Sequence, residues 1–230
     1  MAKKSFIVLF TTFYLLVPSF VKAQKKSVEH IKNKEMQVKI ETTKGVLIVK
    51  LYNETPQHRD NFIKLVSEKY YDGLLFHRVI NAFMIQGGDP ESKNAKEGQM
   101  LGNGGPNYTI PAEFNANLFH KKGALAAART GDQMNPEKRS SGSQFYIVQG
   151  QVFNDEQLSY LSSRMGATYS DTQKEIYKTI GGTPHLDGAY TVFGEVVSGL
   201  EIIDTIASVK TDGNNRPLED IRIISMTIIE

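Results

Sequence analysis

The stretch Phe76-His77-Arg78-Val79-Ile80-Asn81-Ala82-Phe83-Met84-Ile85-Gln86-Gly87-Gly88-Asp89 decides how the rest of the chain is read. It holds two apolar runs of strand length, separated by Asn81-Ala82. Side chains of a strand alternate faces, so Met84 and Gln86 point one way and Ile85 the other. Phe83 lies on the Ile85 side unless a bend at the strand start brings it round. Arg78 faces opposite His77 and Val79. An arginine set into an apolar run needs a partner or an open cleft, because a charge buried alone is costly.

Further strands are predicted around this pair. Met36 to Thr42 alternates apolar and polar residues, Lys44-Gly45 makes a turn, and Val46 to Tyr52 returns, which is an antiparallel hairpin. Thr55-Pro56 starts a helix with Thr55 as N-cap and Phe62, Leu65 and Val66 on its inner face. Strands are expected over Gly123 to Arg129, Gln144 to Val148, Thr191 to Val197 and Ile221 to Ile229. A second helix from Gly199 to Ser208 carries Leu200, Ile203 and Ile206 inward. Many short strands with glycine turns and two helices predict a helix-capped, closed or nearly closed β-barrel. Pro90 to Asn107 reads as a surface loop with a glycine-rich rim at Gly102 to Tyr108. Asn154 to Thr183 carries Leu158, Leu161 and Met165, then Ile176, Tyr177 and Ile180, at spacings that suit two short helices inserted into the barrel chain.

Phe76-His-Arg-Val-Ile80, Phe83-Met-Ile-Gln-Gly-Gly-Asp89 and Gly142-Ser-Gln-Phe-Tyr-Ile-Val148 together resemble the signature of the cyclophilin family of peptidyl-prolyl isomerases. The resemblance runs in order from about Met36 to Glu230, apart from the insertion. It implies a mainly β fold, a closed eight-stranded antiparallel barrel with a helix over each end. It implies isomerisation of X-Pro bonds in unfolded or partly folded polypeptides, with Arg78 as catalytic arginine and Gln86 orienting it. Phe83, Met84 and Leu186 match the proline pocket, and Gln144 and Tyr146 a polar and an aromatic wall. Ala128 and Arg129 match the pair whose backbone holds the peptide; only the backbone of Arg129 is expected to matter. Tyr146 stands where phenylalanine is common and adds a hydroxyl to the pocket. His185 replaces a tryptophan associated with cyclosporin binding, which implies weak sensitivity to that drug, and Tyr190 replaces a histidine beside the proline ring.

Residues 1–23 read as an export signal: Lys3 and Lys4 precede the apolar run Phe6 to Val17, and Val21-Lys22-Ala23 ends in the small residue that cleavage needs. That run is shorter than the roughly 18 to 20 residues of a membrane span. A soluble mature chain, in the periplasm or secreted and not inserted in a membrane, is therefore expected. Residues 24–35 read as a polar leader, and 36–230 as one domain with its insertion at 154–183. The 27 Lys and Arg against 25 Asp and Glu suggest a basic protein, but Lys3, Lys4 and Lys22 fall in the signal. The remaining 24 against 25 give a net charge of −1 and no reason to expect nucleic acid as a partner. With no cysteine, stability must come from the core. His30, His58, His77, His120 and His185 lack ligand spacing, so neither metal nor cofactor is expected. Ser140, Ser141 and Ser143 lack the elbow motif of a hydrolase. A monomer is expected. A module that holds clients through the groove and insertion, with turnover incidental, is the competing reading.

Overall fold

The computed structural model describes residues 35–229. The export signal read at 1–23 and the leader up to residue 34 lie outside the described residues. The predicted hairpin forms as β1 (Gln37–Thr42) and β2 (Gly45–Leu51), joined in the register Val38↔Val49 and Ile40↔Leu47, so that all four of these side chains are buried on one face. Gly45 has φ of 139°, a conformation open to residues without a Cβ.

Helix α1 (Pro56–Ser67) follows with Pro56 in its first turn and Phe62, Leu65 and Val66 buried. Thr55 takes the N-cap position as predicted, but the capping bonds come from elsewhere. Thr55 makes no side-chain bond, and its hydroxyl is buried without a partner. The free amides of Gln57 and His58 instead donate to the two carboxylate oxygens of Glu113, each at 3.0 Å. A carboxylate satisfies two orphan amides at the positive end of the helix, where a hydroxyl satisfies one.

Strands β3 (Arg78–Ile80), β4 (Met84–Gly87), β6 (Ala124–Ala127), β8 (Phe145–Val148), β9 (Val192–Ser198) and β10 (Ile223–Ile229) complete an eight-stranded antiparallel sheet in the order β10-β1-β2-β9-β6-β8-β4-β3. Two short strands, β5 (Thr109–Ile110) and β7 (Ser140–Ser141), pair separately. The large sheet curls until its edges meet: Gly73 N–H donates to Ile223 O, Ile223 N–H to Leu74 O, and Phe76 N–H to Ile221 O, at 2.8 to 2.9 Å. Ile85, Leu125, Phe145, Ile147 and Phe193 fill the interior with Val38, Ile40 and the α1 face. Burying such side chains removes roughly 1.5 to 3 kcal/mol worth of apolar surface each from water.

Helix α4 (Leu200–Ala207) closes another side of the core with Ile203 and Ile206 fully buried, but Leu200, predicted inward, is 39% exposed. It lies over Gly123, where an added Cβ would stand 2.7 Å from its Cδ2. The insertion forms α2 (Asp155–Met165) and α3 (Asp171–Thr179), as its spacing predicts. Asn154 with Gln157, and Ser170 with Gln173, make reciprocal capping boxes at the two N-termini. Leu158 and Tyr177 face a small core with Phe153, Tyr169 and Phe119, whereas Met165 is exposed.

Candidate active site

The pairing register decides which side chains can meet. Ile85 lies opposite Ile147, and Ile147 opposite Leu125, all pointing into the barrel. One residue on, Gln86 pairs with Tyr146 and Tyr146 with Ala126, which therefore share the outer face. Arg78 lies directly across from Gln86 on β3. Phe83 precedes β4 and, after Ala82 at φ of 59°, packs with Met84 and Tyr146 on the outer face. The bend foreseen at this strand start is present.

Three of the predicted side chains are wired in one direction. Arg78 Nη1 donates to Gln86 Oε1 at 3.2 Å and approaches Met84 Sδ at 3.9 Å. Gln86 Nε2 donates to Gln144 Oε1 at 3.0 Å, and Gln144 Nε2 donates to the carbonyls of Gly102 and Gly104 at 2.9 and 2.7 Å. Both amides are thereby oriented with oxygen toward the arginine. The rim that receives them is itself anchored: Asp89, fully buried, accepts from the amides of Glu91, Gly102 and Gly104. A Cβ at Gly104 would stand 2.1 Å from Asp89 Oδ1, so glycine is needed there for close approach.

A cavity of about 100 Å³ opens beside Arg78, walled by Phe83, Met84, Gln86, Ala128, Arg129, Tyr146, Leu186 and Tyr190. It shares Gln86, Ala128 and Arg129 with a larger, more polar cavity of about 480 Å³ that holds Gln144 and the Gly102 to Thr109 rim. His185 stands outside the smaller cavity and stacks on the Phe83 ring, with centroids 5.7 Å apart. Among the described residues the Arg78 guanidinium meets no carboxylate.

Two expectations need correction. The Arg129 side chain is engaged: its guanidinium lies 4.5 Å over the Tyr190 ring, Nε donates to Ala189 O at 2.8 Å, and Nη1 pairs with Asp132 at 2.6 Å. It holds one wall in place by cation–π contact as well as by its backbone. The Tyr146 hydroxyl, read as an addition to the pocket, is turned away from it. It lies 2.9 Å from Nε2 of His120, whose Nδ1 lies 2.8 Å from Asp187. Burial holds the Tyr146 phenol well above its ordinary pKa, so it remains neutral. His120 and Asp187 were not among the predicted site residues. The signal that could have found them is the hydroxyl itself, because a buried phenol on a strand needs a partner.

His77, next to Arg78, is buried with no side-chain partner on either ring nitrogen, and burial lowers its pKa to about 4. No group of three or more His, Asp or Glu able to hold a metal is found among the described residues.

Residues 37–228 match the family model described as cyclophilin type peptidyl-prolyl cis-trans isomerase/CLD. A protein of Staphylococcus aureus strain USA300, provisionally named a peptidyl-prolyl cis-trans isomerase, is 35% identical over 203 residues, covering 88% of this chain and 96% of its own. One of Staphylococcus saprophyticus with the same name is 36% identical over 201 residues, covering 87% and 95%. Among solved structures, a Cryptosporidium parvum cyclophilin type peptidyl-prolyl cis-trans isomerase superposes with a TM-score of 0.62 at 25% identity, over 86% of this chain and 99% of its own.

Proposed function

As a member of the cyclophilin-type peptidyl-prolyl cis-trans isomerase family, the chain belongs to an enzyme class that rotates X-Pro peptide bonds, and we propose that it does so by an Arg78 donor acting over an apolar proline pocket. The barrier to be lowered is about 18 to 20 kcal/mol, because amide resonance is lost as the bond twists. No covalent bond breaks. At the twisted geometry the prolyl nitrogen regains a localised lone pair, and only there can it accept a hydrogen bond. A guanidinium N–H aimed at that nitrogen stabilises the transition state over the planar ground states, which is the condition for acceleration.

Phe83, Met84, Tyr146 and Leu186 form the receptacle for the proline ring, and the Ala128-Arg129 backbone grips the flanking peptide. Moving from tens of seconds to milliseconds needs about five decades, roughly 7 kcal/mol. One charge-assisted bond contributes roughly 2 to 4 of these, by analogy with an oxyanion-hole donor. Desolvation and preferential binding of the twisted bond supply the rest.

The observation that carries this reading is the contact of Arg78 Nη1 with Gln86 Oε1 at 3.2 Å. A neutral amide positions the cation without neutralising it, so its other N–H groups remain available to substrate. Arg78→Ala, assayed on an X-Pro peptide and in proline-limited refolding, is expected to lower kcat/KM by roughly 30- to 1,000-fold. Acceleration equal to wild type would overturn the mechanism.

We also propose that the protein reaches the periplasm or the exterior after removal of residues 1–23, and there acts on unfolded or partly folded chains. The charged, apolar and small-residue layout of that segment supports this. Intact mass of the protein from its native host should place the mature N-terminus at Gln24; a retained Met1 would refute export by cleavage.

A further inference from the structure

Behind the proline pocket, three buried side chains and the partly buried carboxylate of Asp187 form a line that joins the pocket to the insertion. Tyr177 on α3 is fully buried and donates its hydroxyl to Asp187 Oδ2 at 2.6 Å. The other carboxylate oxygen, Oδ1, accepts the His120 backbone N–H at 2.9 Å and faces its ring Nδ1 at 2.8 Å. A carboxylate only accepts, so Nδ1 carries a proton, and in the Nδ1–H tautomer of the ring Nε2 is left to accept. The Tyr146 hydroxyl donates to it at 2.9 Å. The order is Tyr146, His120, Asp187, Tyr177, and each member's choice of donor or acceptor follows from its neighbour's.

The backbone around this line is equally tight. A Cβ at Gly182, just after α3, would stand 2.2 Å from His120 O and 2.6 Å from Tyr177 Cε1. Thr183 N–H donates to the same His120 carbonyl at 2.8 Å. A second strut runs from Tyr169, between the two inserted helices, whose hydroxyl donates to Pro184 O at 3.1 Å. Pro184 begins the 3₁₀ turn Pro184–Leu186, and that turn carries Leu186 into the pocket wall and His185 onto Phe83. The insertion is thus linked to Tyr146 through Asp187 and His120, and to the Leu186 wall through Pro184.

We propose that the insertion is a buttress of the isomerase site, and that Tyr177, Asp187 and His120 are positioning residues that set the orientation of the Tyr146 ring. This rests on the assignment of that pocket to the proline ring. The Tyr146 ring lies nearly parallel to His120 at 6.0 Å and edge-on to Tyr190 at 5.9 Å, so its tilt defines the space between Met84 and the Arg129-Tyr190 wall. Loss of the hydroxyl anchor frees the ring to move without removing any apolar surface. Substrate and transition state both use the pocket, so the loss falls on KM rather than kcat.

The test uses the full chain with Tyr177→Phe, Tyr146→Phe and the double variant, Tyr160→Phe on the exposed face of α2 as control, and Arg78→Ala as reference. Each single variant should lower kcat/KM roughly three- to tenfold, the loss expected of one net hydrogen bond, through KM. The double variant should be no worse than the weaker single by more than about twofold, because both cut one line. The ¹⁵N shifts of His120 should show an Nδ1–H tautomer in wild type that is perturbed in Tyr177→Phe. Wild-type kcat/KM in Tyr177→Phe while Arg78→Ala remains impaired would overturn the buttress and leave the mechanism standing; the reverse would overturn the mechanism alone. Additive losses, or loss of the cooperative melting transition, would also overturn the positioning role.

Discussion

The barrel holds two arrangements of the same chemistry, an acid, a histidine and a hydroxyl in line, and they end in different places. In the first, His58 Nδ1 lies 2.6 Å from Glu113 Oε2 and Nε2 lies 2.9 Å from Ser140 Oγ. In the second, Asp187, His120 and Tyr146 repeat the geometry. Either could be mistaken for a nucleophilic triad from distances alone. Ser140 is only 1% exposed, so no substrate carbonyl can reach its oxygen, and its line closes within the framework between the α1 N-terminus and β7. The second line ends on a ring that walls a cavity. Its terminus, and not the triad geometry, decides whether such a relay serves stability or function.

Charge behaves consistently in the framework relay. Burial raises the Glu113 carboxyl, but bonds from the His58 ring and the Gln57 and His58 amides outweigh it and leave the pKa lowered. Burial lowers His58 against the pull of Glu113. The Glu113 shift stabilises the native state at neutral pH and is lost on acidification, whereas the His58 shift adds nothing above pH 6.5 and costs stability below it, where the unfolded ring takes up a proton that the native state refuses.

His77 supplies the control that the two relays lack, a buried histidine with no acid or hydroxyl bonded to it. Its pKa falls from 6.5 to about 4. Above pH 6.5 neither the folded nor the unfolded form is charged. Between 6.5 and 4 the unfolded chain takes up a proton that the native state refuses, and stability is lost. At pH 4.5 that loss amounts to roughly 2.5 kcal/mol. His77→Phe should leave urea stability near the wild-type value at pH 7 and recover about that amount at pH 4.5. An unchanged acid limb would mean that His58 and the carboxylates carry the whole effect, and the contrast between relayed and unrelayed histidines would then fail.

Alternation along the strand was enough to put Met84 and Gln86 on one face, the pairing register then set Tyr146 beside Gln86, and apolar spacing located both inserted helices. The fold could be read because it depends on local periodicity, and the residues around the pocket because contiguous motifs carry the resemblance that implies them. What escaped depends on contacts across long sequence separations. Glu113 reaches back to cap α1, and His120 meets Tyr146 and Asp187 across three separate elements. Periodicity reports which face a side chain takes, and says nothing of which distant partner waits there. The side-chain contact of Arg129 was missed for a related reason: its guanidinium lies over Tyr190, 61 residues away in sequence, where the short motif around it reports only backbone.

The finest test compares the hydroxyl ends of the two lines directly. Ser140→Ala leaves His58 Nε2 without its partner in a dry setting, which should cost about 1 kcal/mol of stability. Because that line ends in the framework, kcat/KM on an X-Pro peptide should stay within about 1.5-fold of wild type. Tyr146→Phe deletes the same group from the other line, and its larger effect should fall on KM. If Ser140→Ala lowered kcat/KM as Tyr146→Phe does, the groove would be sensing the whole framework and not the one ring at its floor. The two relays would then have to be treated as one connected polar network.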